Sequence, residues 1–95
     1  AEFINMQLYF NETLSSDFYI LYPNPVDDFV RIMNTKPSNR NVSVTIIDAL
    51  GRICSTSSFD NNSLIELDVS QFSQGIYLLL IHEGGDTIIK KFIKQ

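Results

Sequence analysis

Short apolar runs, rich in β-branched and aromatic residues, recur roughly every 8–12 residues along the chain. They are separated by segments of Pro, Gly, Asn, Asp and Ser, which favour turns. No window places apolar residues at the i, i+3, i+4 and i+7 positions of an amphipathic helix between capping residues. The pattern therefore predicts an all-β domain, either a sandwich or a barrel.

Seven of these runs are predicted to be strands, at residues 18–22, 29–34, 42–48, 52–58, 64–69, 76–82 and 87–94. The sixth is the most apolar, which predicts a central strand. The seventh follows a tight hairpin at Gly84-Gly85 and is predicted to be an edge strand. We expect its Phe92 to lie in the core and its lysines to lie outside.

Three short segments between the runs contain proline or glycine, which restrict or widen the range of backbone angles. Pro23-Asn24-Pro25 ends the first strand, because proline lacks an amide donor and fixes φ. Asp48-Ala49-Leu50-Gly51 predicts a turn that the aspartate caps and in which Gly51 takes a positive φ. Gly75 ends a crossover and lets the chain turn into the sixth strand.

The length of 95 residues is that of one domain with a modest core. The net charge of −4 argues against nucleic-acid binding, which requires a basic surface. Positive charge is concentrated at Lys90, Lys91 and Lys94. Lysines on an edge strand discourage aggregation, and recognition of an acidic partner is the alternative reading.

Candidate catalytic and metal-binding residues are scarce in this sequence. The one cysteine, Cys54, is predicted to be a small buried residue, and the one histidine, His82, is predicted to be exposed at a strand end. The sequence has no nucleophile elbow and too few ligands for a zinc site. Asp27-Asp28 lacks the further oxygen ligands that calcium requires. We therefore expect no enzymatic activity, no metal and no cofactor.

Residues 1–16 fit the strand rhythm less well than the rest. We expect them to be an upstream linker or junction segment, with vector-derived residues at its start as an alternative, and we expect one domain at 17–95. Because the chain does not begin with methionine, we expect a fragment of a longer protein. Residues 3–10 form an apolar stretch. As alternatives to a linker, this stretch could pair as a strand with a sheet edge of the same chain or with a second copy in a homodimer.

Four stretches in order resemble one protein family. They are Tyr22-Pro23-Asn24-Pro25, Ile46-Ile47-Asp48-Ala49-Leu50-Gly51-Arg52, Leu67-Asp68-Val69-Ser70-Gln71-Phe72-Ser73-Gln74-Gly75-Ile76-Tyr77 and Lys90-Lys91-Phe92-Ile93-Lys94. Each motif alone is common, but all four in this order are specific. Over residues 18–95 the chain is similar to the type A C-terminal sorting domain of the type IX (Por) secretion system.

The resemblance implies an Ig-like antiparallel β-sandwich of about seven strands at the end of an exported protein. It also implies a covalently attached passenger upstream, transit through the periplasm, and delivery across the outer membrane to the cell surface or the medium. The implied partners are the outer-membrane translocon, shuttle proteins and a sortase that usually cleaves the domain from its passenger.

We expect recognition to involve the proline-marked loop and the lysine-bearing strand. An edge strand offers backbone donors and acceptors for strand addition by a partner, and lysines favour an acidic one. For Gly51, Gly75 and Tyr77, a role in folding is the favoured interpretation. The candidate site residues are Pro23, Asn24, Pro25, Gly51, Gly75, Tyr77, Lys90, Lys91 and Lys94.

Two other functions are alternatives to a sorting signal. The first is an Ig- or fibronectin-like accessory module that binds sugar or protein, for which the candidate aromatic residues are Tyr9, Tyr19, Tyr22 and Phe59. The second is a dimerisation module in which the apolar upstream segment pairs between chains.

Overall fold

Two antiparallel sheets form the domain in a computed structural model that describes residues 19–35, 41–60 and 64–95. The three-stranded sheet has the order β1-β2-β5, and the four-stranded sheet has the order β4-β3-β6-β7. The strands are β1 Tyr19–Tyr22, β2 Phe29–Asn34, β3 Asn41–Ile47, β4 Ile53–Asp60, β5 Leu64–Asp68, β6 Gly75–Glu83 and β7 Asp86–Lys94. The seven predicted strands are confirmed, as are the central position of β6 and the edge position of β7.

The core lies between the two sheets and is built from alternate residues of each strand. In β3 it takes Val42, Val44 and Ile46, and in β6 it takes every second residue from Tyr77 to Ile81. This alternation follows from the two-residue period of a strand, which sends successive side chains to opposite faces. Phe92 of β7 is fully buried in the same core, as its position in the alternation predicts.

The other face of the four-stranded sheet, which we call its outer face, is also apolar at its centre. Leu78 and Leu80 alternate with the core residues of β6 and therefore point away from the three-stranded sheet. They form a second cluster with Ile47 of β3 and Ile89 of β7. The apolar run of β6 thus serves two clusters, one on each side of the sheet.

The strand directions give the sandwich two distinct ends. We call one the C-terminal pole, because β7 ends there beside the start of β6, with Lys94 opposite Gly75. This pole carries the segments 22–29, 47–53, 68–75 and 93–95. At the opposite pole, β1 begins at Tyr19, whose hydroxyl donates a hydrogen bond to Glu83 at the end of β6. The longest dimension of the molecule is 33 Å.

The prediction that Cys54 is buried is wrong, because this residue is exposed. The pairing of β3 with β4 changes register between Ile46 and Ile47, which are opposite Ser55 and Ile53. Cys54 is the extra residue of this bulge, and a bulge interrupts the alternation from which burial is predicted. His82 is half-buried within β6, with Nδ1 3.0 Å from Thr87 Oγ1.

Replacement of Gly75 by alanine tests the conformational role of this glycine at the start of β6. Gly75 has a φ of 155°, which side chains rarely adopt, whereas a Cβ added at Gly75 or Gly85 would meet no atom within 4 Å. We expect Gly75→Ala to lower the free energy of unfolding by about 1–2 kcal/mol through backbone strain. Gly85→Ala is the matched control, for which we expect a change below about 0.5 kcal/mol. Urea unfolding followed by circular dichroism measures both, and equal losses would contradict the conformational explanation.

Candidate functional site

Asn24 joins the proline-marked loop to the end of β7. The Asn24 side-chain nitrogen donates to the carbonyl of Lys91 at 3.3 Å, and the amide of Ile93 donates to the Asn24 side-chain oxygen at 3.0 Å. One carboxamide thus supplies the donor and the acceptor that a neighbouring strand would supply. The peptide bonds before Pro23 and Pro25 are both cis.

The backbone of Val26 continues this contact. The Val26 amide donates to the Ile93 carbonyl at 2.7 Å, and the Gln95 amide donates to the Val26 carbonyl at 2.9 Å. Val26 and Lys94 form an isolated parallel bridge, and the Val26 side chain is fully buried. We call the pairing of residues 24–27 with residues 91–95 the Asn24 clamp.

The clamp corrects two expectations about β7. The sequence predicts an edge open to strand addition over residues 87–94, but from residue 91 onward the backbone of Lys91, Ile93 and Gln95 already pairs with the loop. Lys94 was predicted outside, yet it is 8% exposed and its ammonium group donates to the Gln95 carbonyl at 3.1 Å. Residue 94 shares a strand face with Phe92, and this geometry outweighs the preference of the charge for water. Lys91 is exposed and Lys90 is half-buried.

The segment Asp48–Arg52 forms a turn held by one carboxylate. Asp48 Oδ1 accepts from the backbone amides of Leu50 at 2.9 Å and Arg52 at 3.0 Å, and Oδ2 pairs with the Arg52 guanidinium at 2.9 Å. Gly51 takes a φ of 83° and donates its amide to the Asp48 carbonyl, as the turn requires. The hydrogen bond from the Arg52 amide is the main cause that lowers the pKa of Asp48 below its ordinary value of 3.8.

The crossover from β5 to β6 is tied to the core by Tyr77. The Tyr77 hydroxyl donates to the Ser73 carbonyl at 2.7 Å, and the ring lies between Phe72 and Phe92, with centroid separations of 5.2 and 5.3 Å. Burial is the main cause that raises the pKa of the Tyr77 hydroxyl, which keeps it protonated as a donor. These contacts give Tyr77 a structural role in addition to any role in recognition.

The turn and the crossover face each other across a cavity of about 530 Å³. Cys54 lies in its wall, where loss of hydration raises the pKa of the thiol although the residue is exposed overall. A thiol with a raised pKa stays protonated at neutral pH and is a poor nucleophile. The remaining lining residues are Asp48, Ala49, Leu50, Arg52, Gln71, Phe72, Ser73, Gln74, Gly75, Ile76 and Tyr77.

Large apolar side chains are exposed around this pole. Leu50 and Ile53 are 61% and 68% exposed, and Ile76 and Ile93, which are opposite each other in β6 and β7, are 42% and 40% exposed. Exposed apolar groups near a cavity are typical of a surface that binds another molecule. Sequence reasoning did not select these four residues, although the position of Leu50 at the tip of a predicted turn was a usable signal.

The described residues supply no metal-binding group of three or more His, Cys, Asp or Glu side chains. Among the same residues, no helix is long and apolar enough to cross a membrane. His82 lies near the opposite pole from Cys54, so the structure does not bring the histidine and the cysteine together. The C-terminal pole combines a cavity with exposed apolar side chains.

The predicted site residues are brought together to different degrees. The clamp joins the loop Pro23-Asn24-Pro25 to the segment of Lys91 and Lys94, and Gly75 lies opposite Lys94 in the sheet. Gly51 and Tyr77 belong to the two segments that border the cavity, on the same pole. Of the predicted site residues, Lys90 lies farther from the C-terminal pole than the others, at the position of β7 that pairs with Leu79 of β6.

Replacement of Asn24 tests the clamp. Asn24→Ala removes both side-chain hydrogen bonds, and we expect the free energy of unfolding to fall by about 1–2 kcal/mol. Asn24→Asp keeps an acceptor for the Ile93 amide but loses the donor to Lys91, so a smaller loss is expected. Hydrogen exchange of the Ile93 amide is the direct measurement. Unchanged protection of that amide in Asn24→Ala would show that the side chain does not hold β7.

Acid should loosen the Asp48 turn. The pKa of Asp48 is lower in the folded protein than its ordinary value of 3.8. The ionised carboxylate therefore adds to the free energy of unfolding. This contribution is fully present above the unfolded pKa and is lost as the pH falls through the folded pKa. Asp48 is half-buried but its partner Arg52 is exposed, so solvent screening keeps the effect small. We expect NMR titration to place the pKa of Asp48 below its ordinary value of 3.8. Arg52→Ala leaves both backbone donors in place, so the Asp48 midpoint should stay low in this variant; a return to 3.8 would contradict the main role of the backbone.

The chain resembles known proteins both in sequence and in fold. A family described as the secretion system C-terminal sorting domain matches residues 20–95. A search of curated proteins gave no match. A DUF3244 family protein from Bacteroides vulgatus, with an immunoglobulin-like β-sandwich fold, superposes with a TM-score of 0.69 at 17% identity, covering 82% of this chain and 85% of that one.

A second solved structure, dimeric latent PorU from Porphyromonas gingivalis, superposes with a TM-score of 0.55 at 28% identity. The match covers 80% of this chain but 9% of the PorU chain, so the similarity concerns one small part of that protein. The fold is an Ig-like β-sandwich, and the family match spans most of the sequence. The chain belongs to the family of secretion system C-terminal sorting domains.

Proposed function

We propose that this domain directs an exported passenger, joined upstream of it, across the outer membrane through the type IX secretion system, and that the machinery docks on the C-terminal pole. The observation that carries the proposal is the meeting of four separate sequence motifs at one pole. Residues 24, 51, 75 and 94 are far apart in sequence, yet the clamp, the turn and the crossover bring their segments together.

The position of β1 supports docking at this pole. β1 begins at Tyr19 beside Glu83, at the pole opposite the motifs. A passenger joined upstream would therefore reach the sandwich from the far side. This arrangement leaves the motif-bearing pole accessible to a receptor while the passenger is attached, whatever the size or fold of the passenger. A signal shared by unrelated passengers needs this independence.

The chemistry of the pole indicates the kind of receptor surface that would fit. The apolar side chains of Leu50, Ile53 and Ile76 offer area for burial at the centre of an interface. The guanidinium of Arg52 and the exposed Lys91 supply positive charge nearby. We propose a receptor with an apolar patch and acidic residues at its rim. Lys94 is held in the sandwich, so Lys91 is the better candidate for direct contact.

We also propose that a sortase separates the domain from its passenger after transit, upstream of β1. The partners expected are the translocon, a shuttle protein and that sortase, with the periplasm as the compartment of transit and the cell surface or medium as the destination. The match to the sorting-domain family and the similarity to a part of PorU support this sequence of events.

The accessory-module alternative is not favoured by the aromatic side chains. Tyr19 is buried, Phe59 packs against the core and Tyr22 is half-buried, so these three do not form an exposed platform for a sugar. Tyr9 lies outside the described residues. Dimerisation of this chain stays a prediction.

A fusion experiment tests the proposal. The 95 residues are joined behind an unrelated exported protein in a cell with an active type IX system, and the passenger is measured in surface, medium and periplasmic fractions. Delivery to the surface or medium is expected, and mass spectrometry of the delivered passenger would locate sortase cleavage. Retention of the passenger in the periplasm would overturn the sorting function.

A matched pair of variants tests the docking pole. Leu50 at this pole and Leu64 at the opposite pole are both exposed, so a serine at either should leave the core intact. We expect Leu50→Ser to reduce delivery by roughly tenfold, which corresponds to about 1.4 kcal/mol of binding. Leu64→Ser should deliver normally. Equal delivery by both variants, with equal thermal stability, would place the docking surface elsewhere while leaving the sorting function standing.

A further inference from the structure

Among the described strands, four lie at sheet edges, namely β1, β5, β4 and β7. β1 has four residues and runs into Pro23, and β5 has five residues that include Glu66 and Asp68. The end of β7 carries lysines and is covered by the Asn24 clamp. Short strands, proline, charged side chains and covering loops are the devices by which soluble proteins prevent an edge from pairing with another chain. These three edges are therefore protected.

β4 lacks these devices over most of its length. It has eight residues and pairs with β3 alone among the described strands. Residues 53–59 include no proline and no charged side chain. The bulge at Cys54 lies at the start of the strand, and from Ser55 to Asp60 the register with β3 is regular. This regular stretch offers an edge to which another strand can be added.

The inner side chains of β4 are only partly covered. Ser55, Ser57 and Phe59 are half-buried, although the β3 residues opposite them are 1% exposed. Phe59 packs against the core, yet part of this residue stays accessible to water. A further strand beside β4 would cover these side chains and extend the core. The backbone and the side chains thus fit the same kind of partner, an extended β-strand.

We infer that the β4 edge is a docking site for β4 of a second copy of this chain, paired antiparallel about a twofold axis at Ser57. This inference does not depend on the sorting function. A twofold axis perpendicular to the sheet keeps each side chain on its own face, so only residues of the same face can lie opposite each other. An axis at Ser57 meets this condition. The two four-stranded sheets would then form one continuous sheet.

The small side chains of β4 are complementary to themselves in this register. Ser57 lies opposite Ser57 of the second copy, and Thr56 lies opposite Ser58, so pairs of small polar side chains meet at the centre. Ser55 lies opposite Phe59, so each ring has room beside a small residue.

The charges at the two ends of β4 also fit this register. Asp60 lies opposite the bulge at Cys54 of the second copy, and Arg52 is two residues from that bulge. Diagonal neighbours in an antiparallel pair are about 7–8 Å apart, a distance that a long side chain can span. The Arg52 guanidinium donates from Nε to Asp48 and carries several further N–H donors. Each end of the interface thus brings a carboxylate near a guanidinium, and the two Asp60 carboxylates lie at opposite ends.

Analytical ultracentrifugation of the full chain tests the self-association. The interface involves about six residues a side, which is small, so we expect a weak and reversible dimer. The average mass should rise from that of one copy toward that of two as the concentration increases to about 1 mM. A monomer mass over the whole range would overturn the inference, even if a strand of another protein binds to β4.

The direction of the backbone groups identifies the residue to change. A two-residue hairpin closes with a hydrogen-bonded pair, here Glu83 and Asp86, and backbone directions alternate along a strand. Carried across β6 and β3, this alternation points the N–H of Ser57 at β3 and the N–H of Ser58 at the open edge. Proline at position 58 therefore removes a donor from the edge and none from the sandwich.

Two substitutions of Ser58 form a matched pair. We expect Ser58→Pro to raise the Kd of the dimer at least tenfold, whereas Ser58→Ala keeps the amide and should dimerise like the native chain. Thr56→Lys gives the same measurement without a backbone change, because it places two ammonium groups at diagonal positions of the interface. Circular dichroism verifies that each variant is folded. Unchanged dimerisation of folded Ser58→Pro or of Thr56→Lys would overturn the inference.

Disulfide formation tests the register. Because the N–H of Ser57 points at β3, the two copies of Ser57 form a non-hydrogen-bonded pair with Cα atoms about 4.5 Å apart, a separation that a disulfide can bridge. We expect mild oxidation to join two copies of the double variant Cys54→Ser with Ser57→Cys. The native chain is the control, since its Cys54 lies opposite Asp60 of the second copy and should not cross-link. Equal cross-linking of both proteins, or of neither, would overturn the antiparallel pairing at Ser57.

Discussion

The pairing of residues 24–27 with the end of β7 is the interaction on which the C-terminal pole depends. β7 has a partner in β6 on one side only, and its other edge at residues 91–95 would otherwise be solvated. The Asn24 carboxamide and the Val26 backbone fill this edge from the loop that leads to β2. The same pairing joins the loop that leads to β2 with the last strand of the other sheet by backbone hydrogen bonds. These bonds fix the position of one sheet relative to the other more firmly than side-chain packing alone would.

Four residues from three of the four motifs each meet a local requirement at this pole. Asn24 replaces a missing strand, Asp48 supplies acceptors for the amides of a tight turn, Gly75 takes a backbone angle that other residues avoid, and Tyr77 joins the crossover to the aromatic core. These requirements are independent, yet they shape adjoining parts of one surface. Structural constraint and recognition can therefore act on the same residues, and a motif that is needed for folding also fixes the shape that the proposed receptor would meet.

The strands and the inner core were predictable from the two-residue period of apolar side chains, which is a local property. Asn24 as a clamp was not, because its partners are 67 and 69 residues away and no local pattern connects them. Lys94 was misjudged because charge was given more weight than its position on the face of Phe92. Cys54 was misjudged because one extra residue at a bulge shifts the alternation. The only sequence signal of the second cluster is an excess of apolar residues in β6, and a central position in the sheet predicts the same excess.

The order of the strands along the chain has a consequence for protein quality control. β7 follows all other strands, and it brings both Phe92, which fills the core, and the backbone groups that the Asn24 loop requires. A polypeptide broken off before residue 91 has neither, so the shape at the pole is completed only after β7 has been synthesised. Any receptor that reads this shape would reject prematurely terminated polypeptides without a separate proofreading step.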